Sequence, residues 1–183
     1  MKKLFWLLPL SLILLATLAS ARDYSPKFVG YDVAKPQAAL RASCEATPGR
    51  WTTYYKMGDN SIVINSATCV YKKQLVSENE TVDLIRPAEV NFVFDKSNSL
   101  IETGTFLWRF NSWARREDVK NHFIVKLQDA RHMYPLNAIA MKVGVDSYRL
   151  ENTPFYLRLL AEDEEEIEVP EYLLYVTFVR GTP

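Results

Sequence analysis

Few residues in this chain combine a reactive side chain with a spacing that chemistry can use. Histidine is the usual metal ligand and general base, yet only His122 and His132 occur, with nine residues between them. A zinc site would need a further ligand, a carboxylate or a water. Nothing in the spacing brings one near, so neither metal nor cofactor is expected. The chain has no G-x-S-x-G elbow and no glycine-rich phosphate loop, the two local motifs that most directly announce a nucleophile or a nucleotide. The catalytic carboxylate pair of a glycan hydrolase can come from any two strands. That activity therefore stays as a third reading, with no motif behind it.

The cysteines, Cys44 and Cys69, are 25 positions apart. This is far from the C-x-x-C spacing of metal and redox sites, and no third sulfur is present. An oxidising compartment would join them as a disulfide, stabilising the fold by on the order of 3 kcal/mol, mainly through the unfolded chain.

Two charged or aromatic groups could meet a partner. Glu162, Asp163, Glu164, Glu165 and Glu166 form an acidic run, expected in a hairpin loop. Such a run can hold a hard cation through its carboxylates or steer a basic partner, though it lacks the alternating ligands and glycine of a calcium loop. The competing expectation is a solvated loop that keeps neighbouring edges from pairing. Trp113, Arg115 and Arg116 form a second group. Tryptophan and arginine dominate binding hot spots because each covers a large area. The competing expectation has Trp113 packing under a short helix while the arginines pair with Glu117 and Asp118. Trp51, Tyr54, Tyr55 and Tyr71 offer a stacking platform, or else core and cross-strand pairs.

The N-terminus says where these groups would work. Lys2 and Lys3 precede an apolar stretch from Leu4 to Leu15, and Ala19-Ser20-Ala21 closes the segment. A positive start, a short apolar core and an A-x-A box make a cleavable secretory signal over residues 1–21. Pro9 and Thr17 interrupt the run before it reaches the roughly 20 residues a spanning helix needs. The new N-terminus would be Arg22, so no lipid-bearing cysteine starts the mature chain. Residues 22–183 then form a single domain of 162 residues, a length that supports an adequate core. Losing both lysines leaves 20 bases against 22 acids, a balance that gives a basic nucleic-acid-binding face no support. No later segment is apolar enough to span a membrane. The lysine-bearing signal favours the bacterial periplasm, with extracellular release as the alternative. In a eukaryotic secretory route Asn79-Glu80-Thr81 would become a glycosylation acceptor.

The elements that must position these residues are mostly strands. Trp51–Met57 is aromatic and β-branched, as pleated surfaces prefer. Gly58-Asp59-Asn60 turns the chain into Ser61–Ile64, and Ala67–Val76 follows. Thr81–Ile85 reads as a short strand. Val90, Phe92 and Phe94 share one face of the next, and Phe106, Trp108 and Phe110 one face of Leu100–Phe110. Gly104 marks a bulge or a close approach. Ala138–Val145, Phe155–Leu160 and Tyr172–Val179 complete the set. The last is apolar on both faces, as a central strand covered on both sides would be. Pro36 opens a helix ending near Cys44, and Asn111 or Ser112 caps a turn or two through Val119. His122–Leu127 fits either period and is read as a strand.

The fold class is therefore mainly β: an antiparallel sandwich or closed barrel of about eight or nine strands, with one or two short helices. The leading functional expectation is an exported, non-catalytic protein-interaction domain of the cell envelope, acting as subunit, inhibitor or adaptor on another protein. The alternative is a carrier of lipid or another apolar molecule in a barrel cavity.

Overall fold

The computed structural model describes residues 26–57, 62–95, 100–128, 140–164 and 171–181. The signal segment 1–21, the turn at 58–60, His132, Glu165 and Glu166 lie outside the described residues.

The chain is mainly β and antiparallel. A small hairpin, β1 (Lys27–Phe28) and β2 (Tyr31–Asp32), precedes helix α1 (Gln37–Ala46). Four strands follow: β3 (Gly49–Met57), β4 (Ile62–Tyr71), β5 (Glu89–Phe94) and β6 (Ile101–Phe110). Helix α2 (Trp113–Gln128) leads into β7 (Ala140–Gly144), β8 (Ser147–Leu150), β9 (Phe155–Glu164) and β10 (Glu171–Arg180). One eight-stranded sheet results, in the order β3-β4-β5-β6-β10-β9-β8-β7, and it is not closed. Each half is a helix followed by a four-strand meander, and the last strands of the two meanders pair at the centre. Of the two expected architectures the sandwich-like, layered one holds and the closed barrel does not; among the described residues β3 and β7 are the edges of the sheet.

One face of this sheet is the core. Phe106, Trp108 and Phe110 on β6 share it with Leu174, Val176 and Phe178 on β10, as their pairing register requires. Phe92 and Val90 extend it over β5, and Cys69 and Ala67 over β4. Phe28 from the β1–β2 hairpin meets Phe106 edge-on, with ring centroids 4.8 Å apart. Phe123 from α2 meets Trp108 at 5.3 Å. Such edge-to-face pairs add about 0.5–1.5 kcal/mol each beyond area burial. Both helices and the small hairpin therefore cover the same face.

Gly104 is a close approach: a Cβ there would come within 3.2 Å of Ile101 Cδ1 and 3.4 Å of Phe92 Cδ1. The pairing shift nearby falls between Val93 and Phe94.

Two expected strands are corrected. His122–Leu127 belongs to α2, because Val119, Phe123 and Leu127 are buried together while Val125 stays 64 % exposed. A four-residue spacing that buries one side is the helical period. Ser112 caps this helix, accepting from the Arg115 backbone N–H at 3.2 Å. Thr81–Ile85 is not a strand but carries a 3-10 turn, Val82–Leu84, after which Pro87 leads the chain into β5. The acidic run is also less of a loop than expected, since β9 continues through Glu164, with Glu162 and Asp163 paired to Leu173 and Tyr172.

Candidate interaction surface

The structure joins the two charged groups that look independent in sequence. Arg116 is 4 % exposed, and its guanidinium donates to Glu162 O at 2.8 Å and to the Asp163 carboxylate. It also donates to Glu117 Oε1 at 3.1 Å, as expected, and lies over the Tyr172 ring at 5.8 Å. A guanidinium satisfied in this way is an internal strut that fixes α2 to the end of β9. Arg115 turns elsewhere and donates to Glu80 O. Trp113 does not pack under the helix, because its side chain is 55 % exposed. His122 Nε2 lies 2.9 Å from Asp83 Oδ1, tying α2 to the 3-10 turn.

The aromatic platform divides. Trp51 faces inward against Phe92, with centroids 5.8 Å apart, and Tyr71 is buried. Tyr54 and Tyr55 remain exposed on β3. Tyr55 lies in an exposed apolar surface. β4 pairs with β5 only through Ser66–Val70, so the far ends of β3 and β4 project past the sheet as a two-stranded arm. Register slips there, with Tyr54 opposite Ser66 but Tyr55 opposite Ile64, which leaves Asn65 as the extra residue of a bulge. A bulge shifts the following side chains to the other face of their strand. Ile64 and Ile62 are thereby brought beneath Tyr55 and Met57, on the face that holds Cys69 and Ala67 nearer the core. Tyr55, Met57 and Ile62 are 63, 80 and 67 % exposed, while Ile64 packs against the core margin. The apolar face of the sheet thus runs out onto the arm and ends uncovered among the described residues.

The arm is also an edge. Among the described residues β3 pairs with β4 alone, so the other side of its backbone offers donors and acceptors to which none of them is paired. Natural edge strands are usually blunted by charge, proline or cover. Here Arg50 and Lys56 are the only charges on β3, and both are basic. At the opposite edge, β7 and its turn expose Met141, Val143 and Val145 around Lys142.

Sequence reasoning picked out Tyr54 and Tyr55 but missed Met57, Ile62 and Ile64. The signal was the pair of apolar residues flanking each side of the Gly58-Asp59-Asn60 turn. The bulge at Asn65, which puts all of them on one face, leaves no mark in the sequence. Comparison of the chain with protein-family models, with curated proteins and with solved structures returns no match.

Proposed function

We propose that the mature chain is an exported protein-interaction domain of the cell envelope, serving as subunit, inhibitor or adaptor rather than as an enzyme. The uncovered apolar face of the β3–β4 arm, on an unpaired edge, is the observation that carries this reading. Burying such a patch gives roughly 25 cal/mol per Å² of apolar area. An added strand would satisfy the edge of β3 by main-chain hydrogen bonds, a common mode of peptide recognition. Self-pairing of β3 over its full length would set Arg50 against Lys56 of a second copy, which like charges oppose. The charge complement is an extended segment of another protein with apolar residues on one face and acids opposite Arg50 and Lys56.

Export is supported by the signal-like residues 1–21 and by the disulfide between Cys44 and Cys69. No helix among the described residues is long and apolar enough to cross a membrane. The carrier alternative has less support, since the sheet is not closed and its inner face is packed with aromatic side chains.

Native mass spectrometry of the mature protein, purified gently from its own compartment, tests the proposal. The wild type should retain a protein partner that the variant Met57→Asp/Ile62→Asp loses, while Val143→Asp on β7 retains it. Equal retention by wild type and arm variant, or no retained protein at all, would refute the reading.

A further inference from the structure

A second site lies at the other end of β4, where the β1–β2 turn, the end of α1 and the segment entering β5 converge. Tyr71, the last residue of β4, hydrogen-bonds through its hydroxyl to the hydroxyl of Tyr31 on β2. Thr47 Oγ1 lies 3.4 Å from the same Tyr71 oxygen and 3.1 Å from Cys44 O. Burial above all, then the neighbouring Tyr71, holds Tyr31 protonated well beyond the usual phenol range, against a smaller opposing pull from Arg86. Either hydroxyl of the pair can donate; when Tyr31 donates, the Tyr71 proton is left for an acceptor outside the pair.

Tyr71 borders two adjoining hollows, and Tyr31 the inner one. An inner one of about 210 Å³ is lined in part by Val29, Tyr31, Thr47 and Arg86. An outer, open one of about 430 Å³ has Pro48, Lys72, Lys73 and Leu84 on its walls. Tyr71 and Arg86 belong to both. The only acid on either lining is Glu80, and it is already paired with Lys73. Arg86 and Lys72 are exposed and make no hydrogen bond or ion pair with the described residues. Two basic residues thus line the hollow that Tyr71 borders, without a counter-charge among the described residues. The remaining walls of the outer hollow, Pro48 and the exposed Leu84, are apolar.

The turn beside the inner hollow is strained. Val29 and Gly30 form the two-residue link of the β1–β2 hairpin, with φ of 49° and 87°. A turn with positive φ at both positions favours Asn-Gly, and a β-branched residue there is an outlier. Backbone strain of this kind persists where surroundings enforce it, often at ligand sites.

We infer that this double hollow binds an amphiphilic oxyanion, its charged head held by Arg86, Lys72 and the Tyr71 hydroxyl and its apolar body laid along Leu84 and Pro48. A guanidinium and a hydroxyl donor suit a phosphate or carboxylate head. The site lies at the opposite end of β4 (Ile62–Tyr71) from the arm tip and is independent of partner docking there.

The test uses dodecyl phosphate below its micelle concentration, titrated calorimetrically into the mature protein. Saturable binding should be weakened about tenfold or more by Arg86→Gln, the loss expected when one charge-assisted contact is removed. Tyr71→Phe should weaken it less, and Arg149→Gln on β8 should leave it unchanged. Phosphatidylglycerol vesicles that compete with the monomer would identify a lipid headgroup as the source. Vesicles that do not compete would identify a free small molecule. Either result supports the site. Absence of saturable binding, or equal binding by wild type and Arg86→Gln in a folded protein, would overturn it.

Discussion

The two halves of the sheet share a plan and are fastened by different chemistry. In the first half α1 is joined covalently to the sheet: Cys44 on the helix bonds Cys69 on β4, with the Cα atoms 6.0 Å apart. In the second half α2 is held without a covalent link. Val119, Phe123 and Leu127 enter the core, Arg116 grips the end of β9, and Lys120 Nζ meets Asp146 Oδ2 at 2.9 Å. A ten-residue helix offering only Leu40 and Cys44 to the core has little apolar area to hold it. A sixteen-residue helix with a full buried stripe does not need the staple. Both candidate binding sites lie in the stapled half, one at each end of β4. The difference teaches that the disulfide lets this half leave apolar and basic surface uncommitted to its own packing.

That comparison can be broken in stages. The largest effect should come from Cys44→Ala/Cys69→Ala, which removes the staple and should cost about 3 kcal/mol in denaturant unfolding. Hydrogen exchange should then quicken in α1 and β3 and change little in α2. Gly49→Ala should cost about 2 kcal/mol by overpacking, because a Cβ there would sit 2.6 Å from Cys69 Sγ and 2.9 Å from Cys44 O. Equal stability of this variant would mean that the staple is not tightly packed against β3. Arg116→Met should cost about 1.5 kcal/mol, read in the same assay, by stripping Glu162 O and Asp163 of their donor. Exchange should quicken at the end of β9, leaving the stapled half as it was. The smallest effect on stability belongs to Met57→Lys, within about 0.5 kcal/mol of wild type, since that side chain is already in solvent.

Much of this arrangement was legible in the sequence. The alternations Val90-Phe92-Phe94 and Phe106-Trp108-Phe110 mark inward faces, and the two-sided apolar pattern of 172–179 marks the central strand β10. Export logic alone paired the cysteines. The segment 122–127 was not legible, because Phe123 and Leu127 serve both periods and only the exposure of Val125 separates them. The duplicated plan also escaped notice. Two meanders need only matching alternation, not matching residues, so no repeat shows in the sequence. The acidic run misled through its composition: pairing with β10 and the grip of Arg116 extend β9 into residues whose charge suggests a loop. The hydroxyl pair Tyr31–Tyr71 spans 40 positions and had no local signal at all.

The most direct test of the central claim is amide hydrogen exchange of the protein with and without its retained partner. Strand addition at the free edge should slow exchange at alternate amides within Gly49–Met57 and leave β7 and β8 unchanged. Protection confined to β7, or to α2 around Trp113, with β3 exchanging as in the free protein, would contradict it.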